Sequence, residues 1–413
     1  MLNIRALERW RPWPVYLMAA AVPISMAATS LSKALILMSG LAILLGGLIK
    51  GEPRARLREF SSIPVLLAML AALAVSICYT AAPWPLALGD WGKYAKLILV
   101  PLILLLIRTP RECTTAITVL LASQSFVLIN SCLLAAGWHL PWVPADRNAL
   151  ATVYSSYLDQ AIMTAGFAAV CWHLRQGLQD GKARWLMACL ACAALLNVLV
   201  LLPGRSGQMA MLAVAVLALW WALPPRWRVL VIAAPFVLSS IAAVNHSQFR
   251  ERMGLMVEEV QMYRDNHDIT TSIGIRLNFW HRSIQAIAER PLTGHGVASW
   301  SQQFLRLAGP EANLGTSPRS NPHQEYLQWG VQLGIGGIGL LLFWMYRLVR
   351  DAQRFPTGAR RATQSLVAVM AVACLFNSAL FDALIGDYFC AILGILLAYG
   401  ASLPPIATER LSA

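Results

Sequence analysis

Long apolar blocks alternate with short polar segments along this chain, and the polar segments carry most of the charges. Each block is close to the roughly 20 apolar residues that a helix needs to cross the hydrocarbon core of a bilayer. Because backbone polar groups in lipid must be satisfied within the segment, each block predicts one transmembrane helix of an all-α integral membrane protein. Twelve spans are predicted, at residues 13–30, 34–49, 61–80, 90–107, 114–136, 154–173, 185–202, 207–223, 229–244, 326–346, 363–380 and 388–404.

The composition agrees with this interpretation, since 58% of the 413 residues are hydrophobic and only 13% are charged. The only cysteines at CxxC spacing, Cys189 and Cys192, lie inside an apolar block, so core packing is the predicted role of all eight cysteines. No heptad array or low-complexity tract is present. Function must therefore lie between the helices or in their longest connection.

The distribution of Lys and Arg predicts the orientation. With the N-terminus inside, the inner segments hold twenty of the 33 Lys and Arg residues, and the short outer segments hold five. Both termini are therefore predicted to be cytoplasmic, and the first apolar block is predicted to be a retained anchor rather than a signal peptide. The net charge of +13 then reflects topology and contact with anionic headgroups rather than nucleic-acid binding.

Three regions follow from these predictions. Residues 1–244 would form transmembrane helices 1–9, residues 245–325 a large outer loop, and residues 326–413 helices 10–12 with a cytoplasmic C-terminus. The loop would contain one amphipathic helix after residue 245 and a second that starts near Ser272, its predicted N-cap, and ends at Pro291.

A histidine lies where the loop returns to the membrane. Pro322 suits the position just before a helix, so His323 would lie at the outer mouth of span ten, where it could act as a base. The alternative is an interfacial histidine that a nearby carbonyl satisfies. Glu325 would either orient this histidine or face water.

Several basic residues stand on the outer side, against the topological bias. Arg205 lies in a short outer hairpin and Arg276 in the loop, where they would either clamp a phosphorylated lipid or extend toward headgroups. Lys93 and Lys96 begin span four, and Arg147 lies in another outer loop, so each indicates a nearby anion.

Two late acidic residues, Asp382 and Asp387, flank the turn between the last two spans. Either would orient a histidine or an arginine, or would be a solvated turn residue. The outer carboxylates lack the grouping that a divalent cation on a diphosphate requires, so no metal site is predicted.

Two motifs give the chain a family resemblance. His323-Gln324 is followed by nine residues and then by Gly334-Ile335-Gly336-Gly337, and residues 291–296 read PLTGHG. This pattern is similar to that of the O-antigen ligase and polymerase superfamily of bacterial envelope glycosyltransferases, and the Arg276 helix and the predicted topology agree with it. Tyr326-Leu327-Gln328 adds support.

The resemblance implies a GT-C-like architecture and a function. Its ligase branch moves O-antigen polysaccharide from undecaprenyl pyrophosphate to lipid A-core oligosaccharide in lipopolysaccharide biosynthesis, on the periplasmic side of the inner membrane, with inversion and without metal or cofactor. His323, Arg205 and Arg276 would then be catalytic. Lys93, Lys96 and Arg147 would help the two arginines to bind the donor pyrophosphate.

Other functions remain open from the sequence. The same chemistry with another acceptor would make an O-antigen or capsule polymerase, or a protein O-oligosaccharyltransferase. A transporter of lipid-linked sugars is disfavoured, because the middles of the spans are almost uncharged and no internal repeat is evident.

Overall fold

The computed structural model describes residues 10–47, 52–144, 147, 150–231, 247–266, 271–309 and 321–404. These residues form sixteen α-helices and contain no β-strand, so the predicted all-α class is confirmed for them. Most of the predicted ninth span (229–244) and both chain termini lie outside the described residues.

The helices are α1 (Trp13–Ala21), α2 (Met26–Gly47), α3 (Glu52–Arg58), α4 (Ser62–Ser76), α5 (Trp84–Ala95), α6 (Leu99–Leu106), α7 (Pro110–Ala135), α8 (Tyr157–Leu174), α9 (Gly181–Leu196), α10 (Arg205–Ala222), α11 (Ser247–Asn266), α12 (Ser272–Glu289), α13 (Trp300–Ala308), α14 (Glu325–Ala352), α15 (Thr357–Phe376) and α16 (Ala383–Ser402).

Seven helices of the described residues are long and apolar enough to cross a membrane: α2, α7, α9 with the π turn that follows it, α10, α14, α15 and α16. The predicted span 90–107 is instead divided between α5 and α6 by a 3-10 turn. The boundary predicted after residue 30 is wrong, because α1 ends at Ala21, just before Pro23, whose ring and missing amide donor disfavour a helix interior, and α2 already begins at Met26. The count of twelve spans stays a prediction.

The helices differ sharply in how much of their surface other helices cover. In its most apolar window 83% of α16 is buried, against 22% for α2 and for α9. Helix α16 packs on α6, α7, α8 and α15, and therefore forms the centre of the bundle. Helices α2 and α9 lie at the periphery, where apolar side chains are exposed and a bilayer would cover them.

The helices of the long connection form a second, smaller core. Phe279 of α12, Trp300 and Phe304 of α13, and Val331 of α14 are all almost fully buried against one another. Helix α12 begins at Ser272, as predicted, but its N-cap is Thr271, whose side chain accepts a hydrogen bond from the amide of Gly274. This core attaches the connection to the start of α14.

The PLTGHG segment pairs with a break inside α14. Gly334 has a φ of 69° and interrupts the helix, and the amide that follows it, of Ile335, donates to the carbonyl of Pro291 at 2.8 Å. The amides of His295 and Gly296 donate to carbonyls of the turn before the break, at 2.8 and 3.0 Å. The two motifs of the sequence therefore meet through backbone hydrogen bonds.

These contacts separate the roles of the motif glycines. A Cβ atom at Gly334 would lie 2.3 Å from the carbonyl oxygen of Pro291, whereas one at Gly336 would meet nothing within 4 Å. Gly334 is therefore needed where the helix breaks, whereas Gly336 faces open space.

Replacing Gly334 by Ala should destabilise the protein strongly. The backbone of Gly334 has φ 69° and ψ −163°, a conformation that is almost restricted to glycine and costs another residue ~1–3 kcal/mol, and overpacking against Pro291 adds ~1–3 kcal/mol. We therefore expect a clearly lower thermal unfolding midpoint in detergent for Gly334→Ala, with Gly336→Ala as the matched control that keeps the wild-type midpoint. Equal midpoints for the two variants would contradict the proposed need for glycine at the break.

Candidate active site

His323 lies directly before α14, in a turn that fixes its position. Its φ of 53° is in the left-handed region, which residues other than glycine rarely adopt. The side chain of Asn321 accepts a hydrogen bond from the His323 amide at 2.9 Å, and Gln324 caps α14 by accepting from Leu327. Such backbone strain occurs preferentially at functional sites. The predicted place of His323 at a helix start is confirmed.

Two side chains from distant segments position the imidazole. Phe279 stacks on it, with ring centroids 6.4 Å apart and planes 14° from parallel. Its Nδ1 atom lies 3.3 Å from Oδ1 of Asn377, and the same oxygen accepts a hydrogen bond from the amide of Ser378. Because an amide oxygen only accepts, this contact requires the proton on Nδ1, and in the neutral imidazole Nε2 then carries the lone pair. This tautomer suits a base that acts through Nε2.

The turn between α15 and α16 links the histidine to an acidic residue. The side chain of Asn377 interacts with the half-buried carboxylate of Asp382, which immediately precedes α16. Asp387 lies inside α16 and forms an ion pair with Lys33 at 2.6 Å. Of the two acidic candidates, the structure therefore connects Asp382 to His323 through Asn377 and engages Asp387 elsewhere.

The surroundings of Asp382 shift its ionisation toward neutral pH. Burial raises the pKa of its carboxyl to about 6, and repulsion from Asp159 contributes to this rise. The ammonium of Lys96 and the Asn377 amide favour the charged form and offset part of the effect. The charge beside the Asn377–His323 contact therefore changes in the pH range near 6.

Glu325 is fully buried, and both oxygens of its carboxylate accept hydrogen bonds. One accepts from the hydroxyl of Tyr94 at 2.9 Å and from the indole of Trp329 at 3.0 Å. The other accepts from the amides of Leu380 and Phe381, at 2.9 and 3.3 Å. The alternative that Glu325 faces water is therefore wrong.

The hydrogen bonds of Glu325 do not go to the imidazole. They go to α5, to the next turn of α14 and to the connection that carries Asn377 and Asp382. If Glu325 orients His323, it does so indirectly, by positioning the connection between α15 and α16 that carries Asn377.

The two candidate arginines lie on different helices. Arg276 is half-buried on α12, one turn before Phe279, so it projects from the face that stacks on His323. Arg205 is the exposed first residue of α10. The preceding Gly204 contacts Tyr157 at the start of α8, the same turn that holds Asp159. The α10 helix therefore begins beside the first turn of α8.

Lys93 and Lys96 share a cavity of about 400 Å³ with a third lysine. Its walls are formed by Lys33, Gly89, Gly92, Lys93, Lys96, Phe381, Asp382 and Ala383. A Cβ atom at either glycine would meet nothing within 4 Å, so these positions leave the cavity open. The cavity borders Asp382 and therefore adjoins the connection that contacts His323.

The lysines of this cavity already have partners within the protein. Lys33 pairs with Asp387, and Lys93 pairs with Asp90 at 2.9 Å while lying 4.0 Å above the ring of Phe381. Lys96 donates to the carbonyls of Phe381 and Asp382. An anion in the cavity would therefore meet three ammonium groups whose positions are already fixed.

Arg147 is placed differently from the other basic candidates. Its guanidinium donates to the carbonyls of Val153 and Ser155, both at 3.5 Å, and it does not line the lysine cavity. These contacts close the segment that leads into α8. A role for Arg147 in donor binding stays a prediction.

Residues that the sequence analysis did not select complete the site. Asn377, Phe279 and Tyr94 touch His323 or Glu325, and Lys33 completes the cavity. Asn377 had one usable signal, a polar residue at the end of an apolar block. In the described part of the chain, no three His, Cys, Asp or Glu side chains are grouped so that they could hold a metal ion.

A comparison with protein families matches residues 190–343 to a family described as O-antigen ligase. The matched segment contains Arg205, Arg276, His323 and the glycine motif that ends at Gly337. It confirms the family resemblance over this part of the chain, and members of this family transfer glycosyl groups. A comparison with curated proteins gives no match.

Replacing Glu325 by Ala should destabilise the protein, because it leaves the three buried donors of Tyr94, Trp329 and Leu380 without an acceptor, while the amide of Phe381 keeps its hydrogen bond to the carbonyl of Ser378. Each such donor costs ~1–3 kcal/mol. We expect a large fall in the thermal unfolding midpoint for Glu325→Ala and a smaller one for Glu325→Gln, which keeps one acceptor oxygen. Glu289→Ala, which removes an exposed glutamate paired with Arg306, is the control and should stay near wild type. A wild-type midpoint for Glu325→Ala would contradict this assignment.

Asp382 should make stability depend on pH. Its pKa of about 6 in the folded protein exceeds the ordinary value of 3.8, so the folded state holds the proton more tightly and stability falls as pH rises between these values. We expect Asp382→Asn to remove this loss of stability. The thermal unfolding midpoint of the variant should therefore rise relative to that of wild type between pH 4 and pH 7. Glu258→Gln, at an exposed carboxylate, should follow wild type at every pH. Parallel curves for Asp382→Asn and wild type would refute the prediction.

Proposed function

Because residues 190–343 match the O-antigen ligase family, we propose that this protein is an O-antigen ligase of lipopolysaccharide biosynthesis. It would transfer O-antigen polysaccharide from undecaprenyl pyrophosphate to lipid A-core oligosaccharide. The reaction would take place at the periplasmic surface of the bacterial inner membrane. Transfer of a glycosyl group follows from the family, whereas these two lipids and this location are the proposal.

The geometry of His323 is the observation that best supports the proposal. Its Nδ1 atom faces the oxygen of Asn377, which leaves Nε2 with the lone pair, and its ring is held by Phe279. An imidazole held in this tautomer is suited to take a proton from an acceptor hydroxyl. All residues of this group lie within or against the family-matched segment.

The proposed reaction is a single displacement. The hydroxyl oxygen of the acceptor sugar forms a bond to the anomeric carbon of the donor, and its proton passes to Nε2 of His323. The bond between the anomeric carbon and the pyrophosphate oxygen breaks, and its electron pair leaves with the undecaprenyl pyrophosphate. Attack from the face opposite the leaving group inverts the anomeric centre.

Positive charge has a defined task in this step, because the leaving pyrophosphate gains negative charge as the bond breaks. We assign the donor pyrophosphate to Arg276 and Arg205, whose planar guanidinium groups match phosphate oxygens. Three lysines of the adjacent cavity, Lys33, Lys93 and Lys96, would add positive charge. Arg147, in the segment before α8, would add a further positive charge. With these cations the proposal needs no metal ion or cofactor.

A reconstituted assay tests this proposal. Purified protein in detergent with EDTA, undecaprenyl pyrophosphate-linked O-antigen and rough lipopolysaccharide should yield lipopolysaccharide of higher mass on a gel. Absence of this product although both lipids bind would refute the ligase assignment. Longer donor chains in the absence of lipopolysaccharide would instead indicate a polymerase, and glycosylated protein an oligosaccharyltransferase.

The same assay tests the assigned residues. His323→Ala should lower the rate by about 10²–10⁴-fold, as expected for loss of a general base, whereas His281→Ala, at an exposed histidine of the same segment, should keep it. Arg276→Ala and Arg205→Ala should each weaken donor turnover, with Arg264→Ala on α11 as the exposed control. Full activity of His323→Ala would remove this residue from the role of base.

A further inference from the structure

A groove runs between α9 and α10 on the periphery of the bundle. Both helices pack on α8, and the space that they leave between them measures about 270 Å³. Its walls come from all three helices and are almost entirely apolar, with Trp172 of α8, Leu195 of α9 and Met211 of α10 among them. The groove therefore has the chemistry of a site for a hydrocarbon chain.

A basic pocket adjoins one end of this groove. It measures about 530 Å³ and is lined by Arg175, Arg184 and Trp185, together with Gly181 and Ala188. Along α9, the pocket residues are followed at the same three- and four-residue spacing by the groove residues Ala191, Cys192 and Leu195. Residues with this spacing share one face of a helix, so pocket and groove form a continuous strip.

The two arginines of the pocket are close together and lack an acidic partner. Neither Arg175 nor Arg184 forms an ion pair with any carboxylate in the described ranges. Arg175 is held rigidly, because its guanidinium lies 3.6 Å from the ring centroid of Trp172 and donates to the Trp172 carbonyl at 3.0 Å. Burial lowers the pKa of Arg175, and the charge of Arg184 lowers it further. An anion placed between the two guanidinium groups would relieve their repulsion.

The strip also has the dimensions of a lipid. From Gly181 to Leu195 it extends about 21 Å at 1.5 Å per residue. This is the distance from the headgroup region to the middle of a bilayer whose hydrocarbon core is about 30 Å thick. Trp185, which is 75% exposed at the basic end, is the residue type that lies at membrane interfaces.

We propose that this strip binds an anionic glycerophospholipid, with the phosphate at Arg175 and Arg184 and one acyl chain along α9. The charge pattern predicts that this end faces the cytoplasm, so the lipid would belong to the cytoplasmic leaflet. The site is distinct from the active site, because Arg205 lies at the opposite end of α10, beside the first residues of α8. The proposed glycan donor, with its pyrophosphate bound at Arg205, would have its headgroup at the end of the groove opposite to the basic pocket.

Native mass spectrometry of the full chain released from nanodiscs tests the proposal. In mixtures of dioleoylphosphatidylglycerol and dioleoylphosphatidylcholine, we expect wild type to retain phosphatidylglycerol selectively. The double variant Arg175→Gln/Arg184→Gln should lose about tenfold in apparent affinity, since each guanidinium contributes charge-assisted hydrogen bonds to the phosphate. Arg184→Gln alone changes an exposed side chain, is not expected to disturb folding, and should lose part of the selectivity.

Two further variants separate this site from general attraction to basic surface. Arg58→Gln/Arg350→Gln removes two exposed arginines of the same predicted side that do not line the strip, and it should keep the selectivity. Ala215→Phe fills the groove but leaves the arginines in place, and it should weaken retention as well. Equal retention of the two lipids by wild type, or equal losses in the control and the Arg175/Arg184 variant, would overturn the proposal. Retention of undecaprenyl phosphate in place of the phospholipid would also overturn it.

Discussion

The hydrogen bonds that Glu325 accepts are the constraint on which the geometry of the candidate site depends. A buried carboxylate is costly unless its oxygens are satisfied, and here the donors come from α5, α14 and the connection between α15 and α16. Satisfying this one group therefore fixes the start of α14 relative to the segment that carries Asn377 and Asp382. His323, two residues before Glu325, is held between these parts without touching the carboxylate itself.

A second constraint acts on the other side of the histidine. The break at Gly334 frees backbone groups of α14, and the PLTGHG segment pairs with them. This pairing holds the end of α12 against α14, and the apolar cluster around Phe279 completes the attachment. The imidazole therefore lies between two contacts, Asn377 and Phe279, that come from separate parts of the chain and are fixed by different interactions.

The features that the sequence predicted correctly are local ones. Apolar periodicity and helix-start residues predicted the helical class and the place of His323 before α14, because both depend on neighbours in the chain. The Asn377–His323 contact spans 54 positions, and the lysine cavity joins three separate elements, so no local pattern encodes either. The role of Gly334 could not be predicted from the sequence, because a glycine in an apolar helix has the same sequence signature whether it allows close packing or a break.

Basic residues at the two ends of the bundle differ in whether they already have partners, and this difference fits different ligands. Lys33 and Lys93 are paired with Asp387 and Asp90, so an anion entering their cavity must compete with carboxylates. Such competition weakens binding, which suits the proposed donor pyrophosphate, since this group would have to leave after every reaction. Arg175 and Arg184 have no carboxylate partner in the described part of the chain, so an anion there meets no competitor. That arrangement suits the proposed phospholipid, which would stay bound through many reactions.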